Sequence, residues 1–158
     1  MDEQVSVKAL GNVYYIHGEA DVMTAVMGTF TFAQQLNFSP TTTSEIATIV
    51  SELATNIVKY AAHGRIELAE IQRYSELEGE SGSEQGIRVI ARDSGPGIAH
   101  IEQAMAEHFS TGGSLGMGLP GVQRMVDQFE LKSLTQTSGT EPCGTTVTVI
   151  KWGKSNAV

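Results

Sequence analysis

The chain has 158 residues, 41% of them hydrophobic, which is enough for one domain with a single buried core. Ten basic residues against eighteen acidic ones give a net charge of −8, and no stretch gathers Lys and Arg into a stripe that could neutralise a phosphate backbone, so nucleic acid is not an expected partner. Cys143 is the lone cysteine, which excludes an internal disulfide. Met1-Asp2-Glu3-Gln4 lacks the basic and apolar regions of a secretory signal. With no apolar run near the roughly eighteen residues of a membrane span, the expectation is a cytoplasmic protein with no membrane insertion.

Residues 5–10 and 13–16 read as two short strands around Gly11-Asn12, a hairpin-type turn signal. From about 20 to 36 the pattern turns helical, with Val22, Ala25, Val26, Phe30 and Ala33 on one face. The clearest helix covers 43–62, where Ile46, Ile49, Val50, Leu53, Ile57, Tyr60 and Ala61 follow the three-and-four spacing of a buried stripe. Thr42 with Glu45 has capping-box spacing, and Gly64 stands where a left-handed C-cap is needed.

Strands are expected at 65–74 and 86–92, with a solvated Gly, Ser and Glu connection at 75–85. A short helix near 98–107 and a longer one at 119–129 precede two more strands at 131–134 and 145–151. The whole reads as one α+β domain spanning 1–158, a two-layer α/β sandwich whose mostly antiparallel sheet of five or six strands carries about three helices on one face.

Two glycine-rich loops break this pattern. Asp93-Ser-Gly95-Pro-Gly97 follows the apolar strand at 86–92 directly. The run from Thr111 to Gly121 contains Gly112, Gly113, Gly116, Gly118 and Gly121 and opens into a helix. Glycine is favoured where main chain turns to positive φ or comes within hydrogen-bonding distance of a ligand, and free N–H groups at a helix start attract phosphate oxygens. A nucleotide is therefore the first ligand to consider. Gly116, Gly118 and Gly121 also fit the dinucleotide fingerprint, but the His108-Phe109-Ser110 segment before them is not the apolar strand that a Rossmann unit requires.

On the strong helix Glu52 and Asn56 lie four apart on one face, and Lys59 or His63 extends that stripe. A solvated helix face accounts for such spacing, although Asn is a poor residue for a helix interior. The functional account gives the Asn56 amide oxygen to a hard cation such as Mg²⁺ and makes Glu52 the acceptor of a proton from an attacking hydroxyl. For Asp93 the plain account is a turn residue bonding its own backbone. The functional one is a carboxylate accepting from an exocyclic amine such as adenine N6, with Gly95 and Gly97 clearing space. His17, His63, His100 and His108 show no metal-ligand spacing with one another or with Cys143, so no zinc site is expected.

In order, Glu52 to Tyr60, Asp93 to Ile98, Gly116 to Leu119 and Gly144 to Val147 resemble the N-box, the two glycine boxes and the closing Gly-Thr motif of the GHKL ATPase superfamily. Within it the chain, and above all the segment from Phe109 to Asp127, is similar to the small bacterial serine/threonine switch kinases of RsbT type from partner-switching stress (stressosome) modules. The resemblance implies a Bergerat ATP-binding fold with a lid at about 99–118. It also implies Glu52 as general base and Asn56 as the Mg²⁺ ligand, with Lys59 as a phosphate contact. Asp93 would take the adenine amine, supported by Thr145, with Gly95 and Gly97 beside it. The remaining nucleotide contacts it implies are Ser110, Thr111, Gly112, Gly116, Met117, Gly118 and Leu119.

The cofactors implied are ATP and Mg²⁺. The partners implied are STAS-domain antagonist or scaffold proteins, as Ser or Thr acceptors, and a downstream phosphatase or other effector. Anti-sigma-factor kinases are near relatives that usually carry an arginine before the last glycine pair. Ser114-Leu115 stands there in this chain, which argues against a sigma-binding role.

Overall fold

The computed structural model describes residues 5–77, 80–106, 118–135 and 143–153. In chain order these form β1 (Val5–Ile16), α1 (Glu19–Gln35), α2 (Pro40–Tyr60), β2 (Gly64–Leu77), β3 (Glu80–Asp93), the single turn α3 (Ile101–Ala104), α4 (Gly118–Met125), β4 (Gln128–Leu134) and β5 (Gly144–Trp152). The strands make one sheet in the order β1-β2-β3-β5-β4, antiparallel at every pairing.

Strand side chains alternate between the two faces, and one face carries Ile66, Leu68, Ile87, Val89, Ala91, Val147 and Val149, which join Ala25, Ala33, Val122 and the α2 stripe in one core. The α2 residues in that core are Ile46, Ile49, Val50, Leu53, Ala54 and Ile57, all buried, as the helical spacing predicts. Each such large aliphatic side chain contributes about 1.5–3 kcal/mol on burial. Along α1 the buried positions are Ala25, Thr29 and Ala33. Phe32 packs against the core while Phe30 turns outward.

Several boundaries differ from the sequence expectation. There is no hairpin at Gly11-Asn12. β1 runs through it as one strand with register shifts at 7/9 and 10/13, because a Cβ on Gly11 would meet the Leu68 side chain, the Leu68 carbonyl and the Phe32 ring, each at 3.1 Å. Here glycine marks close packing at a bulge rather than a turn.

α2 starts earlier than the Thr42 and Glu45 pair suggests. Ser39 is its N-cap, accepting the Thr42 N–H at 3.1 Å, with Pro40 at the first position. Glu45 instead pairs with Lys151 at 2.6 Å. At the other end the left-handed residue is Ala62, φ 68°, and not Gly64, which opens β2. Gly64 is needed for space, since a Cβ there would lie 2.5 Å from the Arg92 carbonyl oxygen.

The expected connection at 75–85 is ladder: β2 and β3 stay paired out to Leu77 opposite Glu80. Backbone pairing overrides the polar composition there. α4 ends at Met125, and Phe129, expected in the helix, belongs to β4, where it pairs with Val149.

Candidate active site

The register sets the site. Ile16 pairs with Gly64, and Gly64 pairs with Asp93, so the β1 end, the β2 start and the β3 end meet in one row at one end of the strands. α2 crosses above the sheet with its stripe buried, and Glu52 and Asn56, half-buried, flank that stripe four residues apart, while Lys59 is exposed. Thus the sequence reading of a polar helix face beside the core matches the exposure of these three residues.

Asp93 is the last residue of β3. Its Oδ1 accepts the Gly95 N–H at 2.9 Å and the Thr145 N–H at 3.1 Å. The first bond is the Asx turn that the plain account anticipates. The second reaches across to β5 and fixes the carboxylate from outside its own loop. With both donors on Oδ1, Oδ2 has no partner among the described residues and remains an acceptor for a ligand donor.

The loop fits only with glycine at its contacts. Gly97 has φ 78°, and a Cβ on it would come 2.3 Å from the Leu134 carbonyl oxygen. Gly95 lies against Ala61, 2.7 Å from its Cβ by the same measure. The glycines therefore bring the loop down onto the end of α2 and onto β4.

One residue of this cluster escaped the sequence reading. The Ser133 hydroxyl accepts the Ile98 N–H at 2.7 Å and lies 2.8 Å from the Thr145 hydroxyl, so it ties the first glycine loop to β4 and β5. Its partners are 35 and 12 residues away in sequence, and no local pattern reveals such a contact.

On the second loop, Gly118 has φ 64°, and among the described residues only Pro120 comes within 4 Å of a would-be Cβ, while Leu119 packs against the core. The first amide groups of α4 lack helical carbonyl partners. Ser110, Thr111, Gly112, Gly116 and Met117 lie outside the described residues. So does most of the expected lid.

Among the described residues no group of three or more His, Cys, Asp or Glu could hold a metal ion. The histidines are not all isolated, however. His17 and His63, which flank the Ile16 and Gly64 pair, bring their Nδ1 atoms to 2.9 Å. On the opposite sheet face the Glu67 carboxyl is held below its ordinary value of 4.5: burial raises it, but the hydrogen bond and charge of Arg92, then those of Arg65, outweigh that.

The arrangement suits a purine nucleotide and its divalent cation. A carboxylate oxygen is left open for an amine donor, glycines remove bulk around it, an amide oxygen is on the neighbouring helix, and the start of α4 offers amide groups of the kind that bind phosphate.

The family model described as histidine kinase-, DNA gyrase B-, and HSP90-like ATPase matches residues 41–154. The serine/threonine-protein kinase RsbT of Bacillus subtilis is 38% identical over 120 residues, 76% of this chain and 80% of the relative. An anti-sigma F factor of Thermoanaerobacter sp. (strain X514) is 33% identical over 105 residues, 65% of this chain and 68% of the relative. A solved mycobacterial sensor histidine kinase, MprB, is similar with a TM-score of 0.47 and 14% identity over 92% of this chain and 99% of that one.

Proposed function

Since the chain belongs to the histidine kinase-, DNA gyrase B- and HSP90-like ATPases, we propose that it transfers the γ-phosphate of Mg-ATP to a Ser or Thr of a STAS-domain antagonist or scaffold protein. We further infer that, once released, it binds and activates a downstream effector such as a phosphatase. The chain is a serine/threonine-protein kinase of the GHKL type. Its acceptor, its effector, its action as one domain over 1–158 and its cytoplasmic location are our reading. Among the described residues no helix is long and apolar enough to cross a membrane.

When bound, Mg-ATP supplies the phosphoryl group and a metal charge that offsets the charge developing on transfer. The roles of this chain's residues follow from their chemistry. Asp93 Oδ2 accepts from the adenine amine, and the Gly95 and Thr145 amides keep that carboxylate oriented. Ser133 and the Thr145 hydroxyl hold the glycine loop against the sheet. Asn56 offers its amide oxygen to Mg²⁺. Lys59 and the amides from Gly116 to Leu119 meet phosphate oxygens, with Ser110, Thr111 and Gly112 completing the phosphate side. Glu52 takes the proton of the acceptor hydroxyl as general base.

The observation that carries this reading is Glu52 beside Asn56 on one half-buried helix face, in a chain 38% identical to a serine/threonine-protein kinase. A pure binding module has no use for a base at that position. Transfer of labelled γ-phosphate from Mg-ATP to a STAS-domain protein encoded beside this chain, with Glu52→Ala in parallel, tests it. Label that disappears in the variant supports the kinase. No label despite measurable ATP binding sinks it in favour of a nucleotide-regulated binding module. The anti-sigma F relatives favour a second reading, a kinase that also holds a sigma factor, and co-purification with a sigma factor would replace the first reading by this one.

A further inference from the structure

We propose that the sheet face turned away from the helices is a docking surface for an acidic segment of a partner protein, with Arg88 at its centre. No described helix packs on this face. Across it the register sets Leu10, Ala69, Arg88 and Ile150 in one row. Every large apolar residue of β1 that points this way, Val5, Val7, Leu10, Val13 and Tyr15, is exposed, Leu10 by 79%. These side chains form an exposed apolar stripe along β1, beside Ala69, Ile71, Ile90 and Trp152, which are buried on the same face, and such a stripe marks an interaction site.

The polar atoms say what the partner brings. Three buried side-chain polar atoms lack a hydrogen-bond partner among the described residues, and two of them, Arg88 Nε and Trp152 Nε1, are on this face. Trp152 lies over Gly86, where a Cβ would come 2.7 Å from its ring, and beneath the Arg73 guanidinium, 4.1 Å from the ring centroid. Both unsatisfied groups are donors, so the missing element is an acceptor.

The acids on the described part of this face are already paired. Glu67 is held by Arg65 and Arg92, Glu84 by Arg73 and Glu130 by Lys132. Arg88 has no ion pair among the described residues. An arginine surrounded by apolar side chains and awaiting a carboxylate is the composition of a binding hot spot.

A second copy is the weaker occupant. A two-fold axis through the centre of the face would set Arg88 against Arg88, between two chains each carrying −8. The site built from Glu52, Asn56, Asp93, Ser133 and Thr145 lies on the helix side of the sheet, so a protein docked here leaves it open. The occupant is therefore a protein other than the phosphoacceptor. Taking the downstream effector as that protein rests on the kinase reading above.

The test is calorimetric titration of the purified effector phosphatase into the full chain, at low and high salt, with Arg88→Glu and Leu10→Asp compared. Phosphate transfer to the STAS-domain protein, ATP affinity and melting temperature are followed in parallel. The expected result is a loss of about tenfold or more in effector affinity in each variant, with hydrogen-exchange protection of β1 on binding and the other three readouts unchanged. Leu10 is exposed, so its variant keeps the test valid should Arg88→Glu fail to fold. Effector affinity unaltered in Leu10→Asp, or no binding by the wild type, overturns the proposal. A wild-type dimer in sedimentation that dissociates in Leu10→Asp places a second copy on the face and overturns it too. Effector binding that fails in the variants of a chain with no phosphotransfer sinks the kinase reading and leaves the docking surface standing.

Discussion

Asp93 accepts the amide N–H of Thr145, fifty-two residues away, at 3.1 Å on the same oxygen that accepts from Gly95 at 2.9 Å. Because both donors share Oδ1, the turn and the link to β5 leave the other oxygen available. Asp93→Asn keeps one oxygen for the two amides but presents an NH₂ where a donor must bind. We predict a loss of ATP affinity of about 1.5–3 kcal/mol, read by calorimetry. Unaltered affinity would remove Asp93 from adenine recognition.

Glu52→Ala is predicted to lower phosphotransfer by roughly 10²–10⁴, the usual range for a general base, with ATP binding intact. A variant that retained the wild-type turnover rate in a single-turnover assay would exclude Glu52 as the base.

Ser133→Ala removes the hydroxyl that accepts the Ile98 N–H and contacts Thr145. A part-buried donor then loses its partner, at a cost of about 1–3 kcal/mol. A lower denaturant midpoint with unchanged slope, together with weaker ATP binding, is the expected pair of results. A change in stability with no change in nucleotide affinity would confine Ser133 to a structural role.

Gly97→Ala meets two obstacles at once, a positive φ and a carbonyl oxygen 2.3 Å from the new Cβ. The loop must shift, and we expect a cost on the order of 1–3 kcal/mol with loss of ATP binding beyond what Gly118→Ala produces. Gly118 also has positive φ, but among the described residues a Cβ there would meet only the Pro120 side chain, at 3.6 Å, so the pair separates backbone strain from collision.

The Glu67 carboxyl supplies a pH dependence. Its folded value lies below 4.5 because Arg92 and Arg65 outweigh burial, so it contributes stability above 4.5 that is lost as pH falls through the lowered folded value. Glu67→Gln should flatten the acid limb of a melting-temperature profile below about pH 4.5 and leave the neutral limb in parallel with the wild type. The size is small, since the carboxyl is partly exposed and its pairs with Arg65 and Arg92 are screened by solvent.

The parts of this molecule that could be read from the sequence are those whose physics is local. The α2 stripe shows at once because burial on a helix repeats every three to four residues, and Asp93 with its glycines shows because turn chemistry is written in adjacent positions. Gly11 misled, since a turn and a tight contact with Leu68 and Phe32 call for the same residue. Residues 75–85 misled in the other direction, because Gly, Ser and Glu in a paired ladder look like a solvated loop. Ser133 and the pairing of His17 with His63 were illegible because their contacts join segments 12 to 46 residues apart.

The two register shifts of β1 have a consequence for assembly. A neighbouring chain that tried to extend the sheet along this free edge would find its hydrogen-bonding groups out of phase at 7/9 and again at 10/13, so regular strand addition stops within a few residues. Recognition is thereby pushed from main chain to side chains. A partner has to read the surface of the strand and not its rim, which makes it answerable to identity at Val7, Leu10 and Val13 rather than to backbone alone, and spares the protein the self-templated growth that a straight apolar edge invites.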